Sequence, residues 1–404
     1  MSSASGSNPA IAKPMPMARK LAYRNLFHDR MSLFVTLVGI VFSVVLVAVQ
    51  CGLYLGSAAR ITAVLDHLDG DLWVVPVGTK SFDDPSLLPG REKYAVLSTP
   101  GVGTVDELVV SFALWKKLPR ETGVRCATES GLCGSTASLL IGSDTHTNKS
   151  LPWDIIKGSI DDLSAPNAVA VDSSYFMELG VRELGDRAEV NHMQVTIRAV
   201  TKGIRSFTTL PYVFTTLQQA RMMVGAAPDQ SSYMMVRVAP GHNVADVRAA
   251  LQDRLPDAEV ISHQEFHDRS TNYWLFETGA GTALIAAAVL AVIVGVVVVA
   301  QTLYASTKEH LNEFATLRAL GASAGFIRKV ILWQAVLSAI MGYVMGILLS
   351  QVVIYAFKDS KLLIIMTFNL AWGLLVLTIA MCVLAAVSAI FKVVRIDPAV
   401  VFSR

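Results

Sequence analysis

The chain has 404 residues, 53% of them hydrophobic and only 16% charged, with a formal net charge of +2 and a mean hydropathy of +0.49. Soluble domains carry about 25% charged residues, so the composition excludes an ordinary cytosolic enzyme, a disordered tail protein and a simple secreted domain. The deficit is local: residues 31–59, 278–307, 330–357 and 362–391 contain no Asp, Glu, Lys, Arg or Pro, and the other 287 residues hold all 66 charges.

Residues 2–16 are rich in Ser, Ala and Pro and predict disorder. Over 17–30, Leu21, Tyr23, Leu26 and Phe27 alternate with Arg19, Lys20, Arg24 and Arg30. That pattern suits either an amphipathic helix on the inner leaflet or a cytosolic extension of the first apolar run. Each charge-free run exceeds the roughly 20 residues a helix needs to cross a bilayer core, which predicts four transmembrane helices. The first is too long for a signal-peptide core and no small-residue cleavage site follows it, so it is expected to remain as an anchor.

Residues 60–277 make a 218-residue segment with 20 basic and 27 acidic side chains, large enough for a domain with its own core. Residues 71–77, 111–115, 138–141, 168–171, 194–200, 212–215, 233–238 and 259–262 read as short β-runs. Residues 172–179, 216–224 and 243–255 read as helices, the last opened by an Asn cap and closed at Pro256. The final third is therefore strand, helix, strand, helix, strand, a mixed α+β unit, while about 118–208 is richer in β and suggests an inserted lobe. Cys126 and Cys133, both in this segment, are a possible disulfide in an oxidising compartment.

Chemistry-bearing motifs are sparse. His263 and His267 stand at i and i+4, but Gln264 occupies the position of the base in H-E-x-x-H, so a solvated helix end outweighs a metal site. Residues 60–277 contain no G-x-S-x-G, and the chain contains no G-x-x-x-x-G-K-[ST] sequence. The expectation is no catalytic residue, no metal, and no cofactor bound by this chain. Tyr273 and Trp274, just before the second apolar run, suit an interfacial anchor.

Orientation follows the basic residues of short segments. The segments 1–30, 308–329 and 392–404 together carry 12 basic and 4 acidic residues and should face the cytoplasm; 60–277 is net −7 and should lie outside, with the turn 358–361. The spans contain no ionisable acid or base, so no ion path is indicated. Gln50, Gln301, Gln351 and Asn369 are expected to bond between helices. Gly52 with Gly56, and Gly342 with Gly346, permit close backbone approach, either inside one subunit or at a dimer seam. In 308–329, Leu311, Phe314, Leu317 and Leu320 recur beside polar Glu309, Glu313 and Arg318 and stop at Gly321, which reads as a short amphipathic helix on the inner face.

The stretches TNYWLFETG (271–279), VAQTLYAST (299–307), KEHLNEFATLRALGAS (308–323), GIVFSVVLVAVQCGLYLG (39–56) and RIDPAVV (395–401) resemble FtsX-like, MacB-type ABC permeases, most of all the DevC branch, as does the layout of one span, a large external domain and three spans. The resemblance implies an inner-membrane permease, working as a homodimer with two separate ATPase subunits that carry ATP and Mg. It implies that Glu313, Phe314, Thr316, Leu317, Arg318, Leu320 and Gly321 form a coupling helix seated on the ATPase. It further implies a periplasmic adaptor, an outer-membrane channel and export of lipid, glycolipid or another amphiphile, with membrane lipids and no nucleic acid as partners. An FtsX-like regulator of a periplasmic hydrolase and a Lol-type lipoprotein-releasing permease are the alternatives of the same plan.

Overall fold

The structure is a computed structural model that describes residues 17–28, 30–118, 134–145, 149–309, 323–357 and 363–394. The chain divides into two compact units, Met1–Gly56 with Ala283–Arg404, and Ser57–Thr282.

In the first unit, α1 (Met17–His28) is followed by α2 (Arg30–Ile61). Among the described residues, four helices are long and apolar enough to cross a membrane: α2 itself, Ala280–Thr302, Gly325–Ala356 and Phe368–Ser388. Their core is built from Ile40, Val44, Val299, Ile331, Ala335, Ala339, Met381 and Cys382. Two of the helices start away from the limits of the charge-free runs. One begins at Ala324, where the Ser323 hydroxyl accepts from the Phe326 N–H at 3.2 Å; Arg328 and Lys329 are helical although charged, so absence of charge marks apolarity and not helix onset. The last begins only at Phe368, after Thr367 accepts from the Leu370 N–H at 3.2 Å. Residues 363–367 are not helical, and Ile365 N–H instead donates to the Gly52 carbonyl at 3.1 Å.

The small residues make these approaches possible. A Cβ at Gly342 would stand 2.5 Å from Ile40 Cγ2, one at Gly346 2.7 Å from Val44 Cγ1, and one at Gly52 2.6 Å from Ile364 Cγ2; at Gly56 it would strike the Leu363 carbonyl. Of the four amides, Gln50 is half-buried and Gln301, Gln351 and Asn369 are exposed. The helix-to-helix bonds come from Ser43, whose hydroxyl donates to the Ala291 carbonyl at 3.0 Å, and from Tyr343, which donates to the Ala371 carbonyl at 2.8 Å.

The second unit is organised by one ten-stranded mixed sheet. Its strands are β1 (Leu72–Pro76), β2 (Val102–Lys117), β3 (Ser135–Ser143), β4 (Ile155–Lys157), β5 (Ala168–Asp172), β6 (Arg187–Val190), β7 (Met193–Thr201), β8 (Tyr212–Thr216), β9 (Tyr233–Val238) and β10 (Ala258–Ser262). Helices α3 (Gly90–Leu97), α4 (Phe176–Leu179), α5 (Leu217–Val224), α6 (Val244–Arg254) and α7 (His263–Asn272) connect or cover them, and α8 (Ala280–Glu309), α9 (Ala324–Ala356) and α10 (Phe368–Val394) follow in the first unit. The spatial order is β10, β1, β9, β2, β3, β8, β5, β7, β4. Strand β6 pairs with both β7 and the far end of β2, so β2, β3, β8, β5, β7 and β6 close into a ring.

Strand β1 shows why the local sequence is continuously apolar. Leu72 and Val74 point into the core beneath α3 and α6, with Met234, Val236 and Leu251. Trp73 and Val75 point into the opposite core, with Phe82, Tyr233 and Phe266. A strand buried on both faces cannot alternate polar residues. The Asn243 cap is in place, its side chain accepting from Ala245 N–H at 3.0 Å, and the final third runs β8, α5, β9, α6, β10 as the sequence predicts.

Candidate functional site

A connected set of specific contacts lies where β10 hands over to α7. Ser262 ends β10 and caps α7, its hydroxyl accepting from Glu265 N–H at 3.1 Å. One face of α7 carries Phe266 into an aromatic cluster, with ring centroids 5.4 Å from Trp73 and 5.5 Å from Tyr233 in edge-on geometry. Phe82 stacks on Tyr233 at 5.4 Å. Edge-on pairs of this kind add about 0.5–1.5 kcal/mol beyond their burial, and all four rings are almost wholly buried.

The histidine pair belongs to this packing and is not a solvated helix end. Trp73 Nε1 donates to His263 Nδ1 at 3.3 Å, which uses that nitrogen as an acceptor. His267 is half-buried, with Nε2 3.9 Å from the Asp66 carboxylate in the short helical turn Leu65–His67. Asp66 in turn accepts from the Thr62 hydroxyl at 2.9 Å. The stretch that enters this unit and the helix that leaves it are therefore joined, and Leu65 shares the aromatic core with Phe266. Sequence spacing placed both histidines on one helix face; Trp73 lies 190 positions from His263, whereas His267 stands between distant Asp66 and its neighbour Asp268, whose carboxylate is 3.2 Å from Nδ1.

The polar face of α7 fixes the loop after β1. Arg269 donates to Glu259 at 2.7 Å and to the Thr79 carbonyl at 3.2 Å. Burial works to raise the Glu259 carboxyl, but the Gly78 N–H and the Arg269 guanidinium outweigh it and hold the group below the usual range. Ser270 accepts from Phe82 N–H at 3.2 Å, and Tyr233 donates to the Phe82 carbonyl at 3.0 Å. These bonds hold Asp83 inside the domain, where Tyr212 donates to it at 3.4 Å. Burial pushes its carboxyl up to about 7. Burial first, and then the Asp83 charge, push the Tyr212 phenol well above its ordinary range.

Beyond Asn272 the chain passes through a π-helical turn, Tyr273–Glu277, and then Gly279 at φ 82° before α8. Widened turns and left-handed glycines interrupt an otherwise continuous helix. Trp274 packs edge-on against Phe207 at 5.5 Å, and the Lys80 ammonium sits 5.4 Å from the Tyr273 ring centre. Both aromatics are thus engaged by their own domain. Among the described residues no group of three or more His, Cys, Asp or Glu could hold a metal ion.

Two buried acids of this domain carried no motif. Asp172 caps the turn after β5 by accepting from Ser174 N–H at 2.8 Å, and also accepts from the Thr201 hydroxyl at 3.1 Å and Ile204 N–H at 2.8 Å. Glu107 accepts from Arg221 at 2.7 Å and Lys93 at 2.6 Å. Their only local signal is an acid inside an apolar strand. Of the residues singled out from sequence, Glu313, Phe314, Thr316, Leu317, Arg318, Leu320, Gly321, Cys126 and Cys133 lie outside the described residues.

Residues 33–254 match the MacB-like periplasmic core domain. The chain belongs to that family. Residues 285–398 match the FtsX-like permease C-terminal family, in the order in which the sheet domain and the last three apolar helices occur. Similar proteins include an uncharacterized ABC transporter permease of Mycobacterium tuberculosis (strain CDC 1551 / Oshkosh), 25% identical over 244 residues, 59% of this chain and 62% of the relative. Another, from Mycobacterium bovis (strain ATCC BAA-935 / AF2122/97), is 26% identical over the same shares. The match thus spans less than two thirds of these relatives' length. Among solved structures, the periplasmic region of MacB from Actinobacillus actinomycetemcomitans aligns over 52% of this chain and 96% of its own, at 11% identity and a TM-score of 0.36. A MacB-like core domain followed by FtsX-like helices is coarser than the DevC resemblance read from the sequence.

Proposed function

We propose that this MacB-like chain is the permease subunit of an ABC exporter, with ATP and Mg bound by a separate ATPase. The observation that carries the reading is the ordered pair of family matches, core domain at 33–254 and FtsX-like segment at 285–398, together with four helices of membrane-crossing length and apolarity. The runs 31–59, 278–307, 330–357 and 362–391 hold no acid or base, which suits a bundle that transmits motion better than one that conducts ions. Cycles of ATPase association move the helices, and α7 with its aromatic anchor passes that motion into the sheet domain. Residues Glu313, Phe314, Thr316, Leu317, Arg318, Leu320 and Gly321 form the contact with the ATPase.

The same reading places the chain in the inner membrane with both termini cytoplasmic and the 60–277 domain periplasmic, consistent with its charge distribution. It works as a homodimer with two ATPase copies, in a DevC-like assembly with a periplasmic adaptor and an outer-membrane channel. Lipid, glycolipid or another amphiphile is the cargo. The test is reconstitution of the full chain with the ATPase that copurifies from native membranes. Stimulated ATP hydrolysis, with an amphiphile missing from the outer envelope of a deletion strain, supports the reading. A chain that recruits no ATPase, or a deletion whose defect is loss of a cell-wall hydrolase activity, rejects it.

A further inference from the structure

Helix α1 buries only half of its circumference. Ala22 is fully buried against Val330, with Leu21, Phe326, Ile327 and Trp333 packed around them. At 3.6 residues per turn, Arg19, Tyr23 and Phe27 form one longitudinal row, and Lys20, Arg24 and His28 form the adjacent row. All six are exposed, Tyr23 at 55% and Phe27 at 42%. The open half of α1 therefore has aromatics in the middle and cations on either side.

Three features say what covers this face. The first is its sign: α1 contains no acidic residue, and Asp29 is the only acid in the first 30 positions. The second is its chemistry. Tyr23 and Phe27 sit 4.5 Å apart between ring centres, a paired aromatic wedge left outside any protein core. Rings of this kind partition to the headgroup level of a bilayer, and flanking Lys and Arg find phosphates there. The third is place: α1 ends at His28 and the apolar helix α2 begins at Arg30, so the face lies at the boundary of a membrane-crossing helix. Arg19, at the start of the row that holds Tyr23 and Phe27, also lies 5.4 Å from the Trp333 ring centre, which ties that row to α9 and sets the roll of α1.

We infer that α1 is an anionic-lipid binding element, in which Tyr23 and Phe27 enter the headgroup layer while Lys20, Arg24 and Arg19 hold phosphate-bearing, negatively charged lipids. The inference goes beyond the permease reading and needs neither an ATPase nor a cargo. The membrane is recognised by charge as well as by apolarity, so lipid choice depends on α1.

The test uses the full chain in vesicles of phosphatidylcholine with and without phosphatidylglycerol, with spin-labelled versions of both lipids to read the selectivity of the protein-bound shell. Wild type is expected to enrich phosphatidylglycerol, and the enrichment should fall as salt rises. Each cation neutralised near an anionic surface removes about 1 kcal/mol, or about fivefold in binding. Lys20→Gln with Arg24→Gln should therefore cut the enrichment by roughly that factor per charge at any lipid contact made through these side chains. Tyr23→Ala with Phe27→Ala should weaken retention of both lipids at this shell. A photo-crosslinker at Tyr23→Cys should label lipid. An unchanged phosphatidylglycerol preference in the Lys20/Arg24 variant, when that variant retains the wild-type thermal stability, overturns the inference. Predominant crosslinking of position 23 to another polypeptide does so as well, and would assign the face to a protein partner.

Discussion

Arg221 and Glu107 meet at 2.7 Å in the interior of the sheet domain, each side chain about nine-tenths buried. Lys93 closes on the other Glu107 oxygen at 2.6 Å, and Arg221 Nε donates to the Gln230 carbonyl at 2.7 Å. One carboxylate in β2 thus ties down both α3 and α5. Removing one partner of such a buried pair costs about 3–5 kcal/mol, because the remaining charge is stranded. Glu107→Ala should lower the thermal stability of the purified full chain by that order, whereas joint replacement Glu107→Leu with Arg221→Met should recover much of it. Equal loss in the single and double variants would show that the pair is not the cause.

Asp83 makes the stability of the domain depend on pH. Its folded-state value of about 7 lies above the roughly 3.9 expected for an unfolded chain. Between those values the folded form holds the proton more tightly, so stability is greatest at the acidic end and declines as pH rises towards 7. The full span corresponds to something on the order of 4 kcal/mol. Asp83→Asn should flatten that decline and raise stability above neutrality. Unfolding followed by intrinsic fluorescence between mildly acidic and neutral pH reads it directly; a variant with the wild-type slope would exclude Asp83 as the titrating group.

The close helix contacts can be separated from helix propensity. Gly342→Ala places a methyl 2.5 Å from Ile40 Cγ2, whereas a Cβ at Gly373 meets nothing within 4 Å. Overpacking costs about 1–3 kcal/mol, and the gain in helix propensity from Gly to Ala is about 1 kcal/mol. Gly342→Ala should therefore be destabilising and Gly373→Ala neutral or stabilising, compared by thermal unfolding in one detergent.

The proposed ATPase contact makes a functional prediction. Leu317→Asp or Gly321→Asp should abolish stimulation of the ATPase by the permease while membrane insertion stays intact. Stimulated hydrolysis measured in proteoliposomes checks it, and normal coupling in both variants would remove the coupling assignment from residues 313–321.

Much of the organisation was legible from local pattern. Absence of charge over about 30 residues is a property of the chain itself, because an uninterrupted apolar helix has few alternatives to a bilayer or a bundle core. The Asn243 cap and the strand-helix alternation from Tyr212 onward are local too, and they stand in the structure. Strand β2 was legible only in part. Residues 111–115 alternate visibly, but the strand runs from Val102 to Lys117, past an irregularity at Gly103 and through Asp106, whose place is held by pairing with Met235 of β9 and not by its own propensity. The short strand β6 and helix α3 left no clear mark, since Arg187–Val190 becomes a strand by pairing with both β7 and β2.

The sequence by itself determined which segments are apolar enough to cross a membrane, which faces of the chain are basic or acidic, and where several helices begin. Those properties depend on neighbours a few positions away. Only the tertiary structure decided that six strands close into a ring, that His263 serves Trp73, that Glu107 finds Arg221 and that Asp83 is buried beside Tyr212. Those pairs lie between 114 and 190 residues apart. A carboxylate's environment is set by whichever distant groups the fold brings to it, and no periodicity in the chain encodes them.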